Sequence, residues 1–335
     1  MTAGGTLPQT TLPASLEPLE ARRLLATVGI VGDDFTIDGQ FTHPGSPLAG
    51  TLPNVRTVNA TFDDANAATV GNWKYPDTGK WDPTRNVDEF VAALPGWRAR
   101  GVLAATLNFQ GGGPKAGAFS TTQAWNNSAF NSDGSLKSAY LTRMEKAIRA
   151  LDRNGMVAIV GYFYFGQDHR LADEASVKKA ADNATDWLVA KGFKNVMVEI
   201  ANESGDAYEH AILKPARIAE LIRRVDARAG GRLAVSTSFG GGVIPSADVI
   251  SASDYVLLHG NDQTATTITN MVKTIRGRTT KPVIFNEDST SITNFNAATA
   301  AGASWGYYDQ GSNNYRDGFQ SPAVNWTINT TAPST

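Results

Sequence analysis

The sequence predicts an α/β chain folded as one closed (β/α)8 (TIM) barrel behind an N-terminal tail. Three observations predict it. Short apolar segments of strand length alternate with amphipathic segments of helix length, almost without a break, from residue 35 to residue 311. That alternation is the pattern of a parallel sheet with crossover helices. The strands are largely apolar on both faces, as in a sheet covered on both sides. Their number, eight, favours closure over an open doubly wound sheet. No Gly-rich phosphate fingerprint follows the first strand, as a dinucleotide fold would require.

Residues 1–34 read as a tail, because Pro, Thr, Ser and Gly dominate the first 15 positions and such a composition buries too little apolar surface to order itself. FTIDGQFTH (35–43) reads as a hairpin turning at Asp38-Gly39. NVRTVNATFDD (54–64) is the first barrel strand, ending on Asp63 and Asp64. A long loop with Trp73, Tyr75 and Trp81 leads to a helix capped near Asn86 and stopped by Gly101, with Pro95 inside it predicting a kink or a broken turn. VLAATLNFQGGG (102–113) is the second strand, and a loop carrying Trp125 follows. Residues 135–155 form a helix in which Leu141, Met144, Ile148 and Leu151 recur at helical spacing and Gly155 closes the end.

The third strand is 156–166, followed by a helix at 176–192. The fourth strand, NVMVEIANES (195–204), precedes a helix at 212–231. Strands at 233–242 and 254–261, a helix at 264–277, the seventh strand KPVIFNEDS (281–289), a short helix at 294–301 and the eighth strand at 303–311 complete the count. The barrel domain spans 35–320, and 321–335 is a polar C-terminal tail that either wraps the barrel or leads into a further domain.

Composition narrows the function. The chain has 335 residues, 41% hydrophobic, with a formal charge of −2 and interspersed signs. A nucleic-acid partner would want a basic face, which is not evident. No apolar run approaches the length of about 20 residues needed to span a membrane. Cysteine is absent, which removes disulfides, thiolate nucleophiles and cysteine metal sites together. The four histidines are scattered without ligand spacing, so no metal or other cofactor is expected.

The chemistry points to two strand ends. The fourth strand ends on Asn202-Glu203 and the seventh on Glu287. In a barrel of this class the carboxyl ends of the strands share one mouth. Two carboxylates facing each other there suit cleavage of a glycosidic bond, one protonating the leaving oxygen and the other attacking the anomeric carbon or activating water. Asn202 is placed to hold a sugar hydroxyl, and the carbohydrate is the expected partner. The bland reading of Glu203 is a strand-end carboxylate in a local salt bridge. Glu199 shares its parity and reads as a buried supporting carboxylate.

These residues resemble glycoside hydrolase clan A, and within it the cellulase-like family 5 branch. The resemblance rests on Asn202-Glu203 ending the fourth strand, Glu287 ending the seventh, Trp305 in the eighth, and the stretch VEIANES. It implies that Glu203 is the acid/base and Glu287 the nucleophile, with the anomeric configuration retained. His259 ends the sixth strand, where the family often places a His followed two residues later by Tyr; here the partner is Asn261. Ser204 stands where Pro is common, and Asn108 replaces an arginine at the second strand end. The expected substrate-binding residues are therefore Asn202, His259, Trp305, Asn108 and His169, the last either binding substrate or pinning a loop. Trp305 reads as a sugar platform. Trp73, Trp81 and Trp125 either build the cleft or pack their loops, and the glycine runs at 111–113 and 240–242 read as turn geometry.

The alternative function is a non-catalytic carbohydrate-binding or surface protein on a degenerate barrel, and a third reading is a barrel hydrolase or lyase for a non-sugar substrate. The stretch LEPLEARRLLA (16–26) resembles a short N-terminal motif of exported bacterial surface proteins. It implies an extracellular or cell-surface location, and its plain alternative is an amphipathic helix in a tail.

Overall fold

The computed structural model describes residue 1 and residues 26–113, 123–311, 315 and 318–327. Residues 16–25 of the export-like motif lie outside the described residues.

The chain opens with a three-stranded antiparallel meander, β1 (Val28–Val31), β2 (Asp34–Ile37) and β3 (Gln40–Phe41). Its first strand begins inside the stretch read as tail. Asp38 and Gly39 both take positive φ, 55° and 75°, the conformation a tight two-residue hairpin turn demands. Phe35, 1% exposed, packs with Leu103, Ile159, Met197, Leu257 and Ile284 at the amino ends of the barrel strands. The meander thus plugs one end of the barrel and leaves the carboxyl end for chemistry.

Eight parallel strands follow: β4 (Asn54–Val55), β5 (Ala104–Asn108), β6 (Val157–Tyr164), β7 (Val196–Asn202), β8 (Ala234–Ser236), β9 (Val256–His259), β10 (Val283–Glu287) and β11 (Gly306–Tyr307). Ladders run in the order β11-β4-β5-β6-β7-β8, and β9 pairs with β10. Short bridges close the ring. Ser304 bridges Ile284 ahead of β11, and the Asp254 N–H donates to Val235 O at 2.9 Å between β8 and β9. Among the described residues seven helices lie between the strands: α1 (Pro83–Arg98), α2 (Ser138–Arg153), α3 (Glu174–Ala190), α4 (Ile218–Ala229), α5 (Ala247–Ala252), α6 (Ala265–Arg276) and α7 (Ile292–Ala300). The eight-strand, alternating architecture is the expected one.

Local differences have physical causes. The first barrel strand stops at Val55 and continues as a 3-10 turn, Val58–Thr61, rather than running to Asp64. Threonine hydroxyls replace the ladder there, because Thr57 and Thr61 donate to the β5 carbonyls of Thr106 and Asn108 at 2.7 and 2.9 Å. Helix α1 starts earlier than expected. Asp82 accepts from the N–H groups of Thr84 and Arg85, and Pro83 occupies the first turn, where its missing N–H costs nothing. The helix runs through Pro95 to Arg98. The helix expected from residue 212 is interrupted, with a 3-10 turn at Ala211–Leu213 and α4 beginning only at Ile218. Pro215 lies between them and cannot sit inside a helix cheaply. The six-residue α5, capped by Ser246, is too short to show a helical period.

The described C-terminal residues form a strap rather than a loose tail. Val324 and Trp326 are fully buried. The Trp326 Nε1–H donates to Asn86 Oδ1 on α1 at 3.1 Å, and the indole stacks on Phe319 with ring centres 5.4 Å apart.

Candidate active site

Glu203 follows β7 directly. Along that strand Met197 faces the barrel interior, and period-2 alternation carries Glu199 and Ala201 the same way. Glu203 itself has φ +50°, a conformation a side chain adopts at a cost of about 1–3 kcal/mol. Ser238, just past β8, holds it: its Oγ accepts from the Glu203 N–H at 2.9 Å, and its carbonyl accepts from the Ser204 N–H at 2.9 Å. The same Oγ donates to Glu199 Oε1 at 2.5 Å.

Glu287 ends β10 at a register shift and pairs with His259 at the end of β9. Its two oxygens are separately bound. Oε1 accepts from Asn261 Nδ2 at 2.8 Å, and Oε2 meets Arg56 Nε at 2.9 Å. His259 Nδ1 lies 3.0 Å from Glu203 Oε1 and 3.7 Å from Glu287 Oε2. One ligand atom each of Glu203, His259 and Glu287 fall within 4.8 Å of one another. Their spacing could suit a cation, but the Arg56 guanidinium already places a positive charge on Glu287 and competes for that role.

Arg56 ties the cluster together. It is 1% exposed, bonds Glu199 Oε2 at 3.0 Å and Glu287 Oε2 at 2.9 Å, and donates to Asn202 Oδ1. Burial opposes its charge, yet the Glu199 and Glu287 carboxylates outweigh burial and raise its pKa. Glu199 is fully buried and also accepts from Asn286 Nδ2 at 3.1 Å. Sequence reasoning sought an arginine at the second strand and missed this one on the first. The signal was present: a cation set in the short run NVRTV, directly after the residues that form the strand.

The electrostatics are those of a shared proton. Burial works to raise the Glu203 pKa, but the His259 hydrogen bond and the charges of His259 and Arg56 outweigh it and hold Glu203 below its ordinary value. Burial works to lower the His259 pKa, but Glu287 and the bonded Glu203 raise it. The pair therefore keeps its proton chiefly on His259, 3.0 Å from the carboxylate that would use it. Tyr164 faces the same pocket. Burial first, then the Glu287 charge, push its phenol well up, so it remains a donor.

The structure gathers some of the expected residues and separates others. Glu203, Glu287, Asn202 and His259 converge, with the Asn202 oxygen held by Arg56. Trp305 lies outside the cleft. It is 7% exposed, packs with Phe295 and Tyr307 beneath α7, and donates to Asp288 Oδ2 at 2.6 Å. Asn108 is fully buried inside the barrel against Gly161, its amide atoms without a protein partner. His169 sits in the 3-10 turn Asp168–Arg170. Asp168 in that turn accepts from the N–H groups of Glu209 and His210, so the turn pins the loop after β7.

The loop tryptophans pack on each other. Trp73 and Trp125 have ring centres 5.8 Å apart and donate to Asp64 Oδ2 and Gly112 O. The first glycine run allows close approach, since a Cβ on Gly111 would fall 2.1 Å from the Tyr164 ring.

Two cavities meet at Glu203. One, about 340 Å3, reaches both glutamates and is lined by Tyr164, Asn261, Gln263, Gln310 and Gln320. The other, about 640 Å3, extends from Glu203 past Phe165, Phe239, Val243 and Ile244.

No family model matches the sequence, and no curated protein matches it. Solved structures do resemble the fold. A putative glycoside hydrolase from Bacteroides vulgatus is 14% identical with a TM-score of 0.57; the match covers 92% of this chain and 59% of that one. A glycoside hydrolase family 5 mannosidase from Rhizomucor miehei is 11% identical with a TM-score of 0.55, covering 85% and 86%. A GH5-4 broad specificity endoglucanase from Bacteroides salanitronis is 12% identical with a TM-score of 0.55, covering 86% and 92%. At such identities the likeness is one of fold.

Proposed function

We propose that the chain is a retaining glycoside hydrolase, with Glu287 as nucleophile and Glu203 as acid/base. The observation that carries this reading is the spacing of the two glutamates, whose nearest oxygens lie within 4.8 Å at the mouth of one pocket. Carboxyl groups about 5–5.5 Å apart suit double displacement, whereas about 6.5–9.5 Å leaves room for the water of an inverting reaction. The neighbours of known fold support the same class of substrate.

The roles follow from what each carboxylate touches. Arg56 and Asn261 orient the Glu287 oxygens, fixing one for attack on the anomeric carbon. Glu203 has a proton source in His259. In the first step Glu203 takes the proton held by His259 and passes it to the glycosidic oxygen while Glu287 attacks. The C–O bond breaks, the alcohol leaves, and a glycosyl ester forms on Glu287. In the second step Glu203, now a carboxylate, takes a proton from water. The hydroxyl adds to the anomeric carbon and Glu287 departs, so two inversions retain configuration.

The test is reducing-sugar release from plant, algal and microbial polysaccharides and from aryl glycosides, for wild type beside Glu287→Gln and Glu203→Gln. Glu287→Gln is expected to abolish turnover. Glu203→Gln should cost roughly 10²–10⁴-fold on substrates with poor leaving groups and far less on 2,4-dinitrophenyl glycosides, which need no acid. Undiminished activity in Glu287→Gln would sink the assignment, and glycan binding without turnover would point to a binding protein.

A further inference from the structure

The two cavities that share Glu203 differ in chemistry, and the difference specifies the leaving group. The smaller, which holds both glutamates, is walled by the amides of Asn261, Gln263, Gln310 and Gln320. Amides donate and accept; Gln320 is held by Gly113 O and Tyr308, and Asn261 Nδ2 by Glu287, while Asn261 Oδ1 has no protein partner and suits a sugar hydroxyl. The larger lies beyond Glu203, where the group cut from the sugar must exit. Its wall is Phe165, Pro215, Phe239, Val243 and Ile244. Of its polar side chains, the Ser204 hydroxyl donates to Leu213 O at 2.7 Å and Ser246 caps α5, which leaves the exposed Asp206 carboxylate beside Glu203. A sugar seated there would find two carboxylates, Glu203 and Asp206, as acceptors and few side-chain donors, so part of its hydroxyls would lose the hydrogen bonds they make in water. Val243 supports the same view, because it is 46% exposed, an uncovered apolar side chain at the edge of a site.

We propose that this cavity is the aglycone site and takes an apolar, ring-bearing alcohol, so that the substrate is a glycoside of such an alcohol rather than a chain of sugars. The proposal rests on the hydrolase reading for the word aglycone, but the cavity's ligand class can be tested without turnover. The glycine run at 240–242 shapes the wall. A Cβ on Gly241 would lie 2.4 Å from the Asn261 carbonyl oxygen, so the loop after β8 lies close against the loop after β9, leaving its far side open toward Val243.

The binding probe is 2-phenylethanol, followed by saturation-transfer NMR on the wild-type protein and on Val243→Arg, a change at a half-exposed position whose fold is checked by circular dichroism. The ring protons are expected to receive saturation from wild type and to lose it in Val243→Arg. No transfer in wild type, or transfer that survives the substitution, overturns the proposal. The kinetic arm compares methyl, 2-phenylethyl and disaccharide β-glucosides and β-mannosides, all leaving as alkoxides. A kcat/KM for the 2-phenylethyl glycoside roughly tenfold or more above the methyl glycoside, in line with hydrophobic pocket discrimination, supports it. A disaccharide hydrolysed faster than the 2-phenylethyl glycoside overturns it. Hydrolysis of none of them, with 2-phenylethanol still bound and displaced by Val243→Arg, would count against the hydrolase reading and leave the cavity's ligand class standing.

Discussion

Arg56 holds three groups that would otherwise repel or be stranded. Its guanidinium fork reaches Glu199, Glu287 and Asn202 at once, which the single point of a lysine ammonium cannot do. Arg56→Lys is therefore expected to lower kcat/KM sharply while retaining the fold. Arg56→Met should also destabilise, by about 3–5 kcal/mol, because it leaves the fully buried Glu199 charge uncompensated. Urea denaturation beside kinetics separates the two effects.

The proton shared by Glu203 and His259 sets the pH dependence. Glu203 lies below its ordinary value of about 4.5 in the folded chain, so its contribution to stability is present above that pH and is lost as pH falls through the folded value. His259 lies above its ordinary value of about 6.5, so its contribution is present below that pH and is lost as pH rises through the folded value. The stability advantage of wild type over His259→Asn should thus be greatest between these two pH values, as melting curves across pH would show. The same logic places the basic limb of kcat/KM above pH 6.5 in wild type. In His259→Asn the limb should move to lower pH, with a loss of up to about 10²-fold.

At this scale the sequence was only partly legible. Glu203 and Glu287 stood out because each ends an apolar strand and a barrel brings such ends to one mouth. Trp305 did not disclose its direction, because a strand residue near an end can face either side, and Asp288 three residues past Phe285 offered its indole a partner outside the cleft.

Among the elements, long amphipathic helices such as α2 declared themselves by period, while short barrel strands did not declare their ends. The first barrel strand yields to a 3-10 turn because Thr57 and Thr61 bond β5 through their hydroxyls, a substitution that leaves no mark in hydropathy. The strap was read as polar tail because its apolar residues are too few for a helix or strand pattern. Yet Trp326 packs against Phe90, Trp97 and Phe319. Trp326→Ala should cost about 3–5 kcal/mol, measurable by denaturant unfolding. It should also raise KM, because the strap carries Gln320 into the pocket wall, where its amide donates to Gly113 O at 2.7 Å and accepts from Tyr308.

Across the whole molecule, a division of labour was legible in outline. Alternation and strand count gave the barrel, and a barrel assigns chemistry to its carboxyl end. The meander, with Phe35 in the opposite end, needed the structure, since a hairpin's sequence does not say what it covers. The difference between the two cavities was also hidden, because Gln320 and Phe239 come from loops whose paths no local pattern specifies.

The strap makes the pocket wall depend on a segment that belongs to no sheet or helix and is held by side-chain packing. Segments without ladder hydrogen bonds open locally at lower free energy than the sheets they cover. When this one lifts, the active site loses Gln320 while the barrel stays intact. Heating should therefore erode turnover several degrees before circular dichroism records loss of helix. A bound substrate analogue that contacts Gln320 would resist that opening and close the gap between the two curves. Occupancy would then act as a latch on the strap, and the working lifetime of the protein at elevated temperature would rise with substrate concentration.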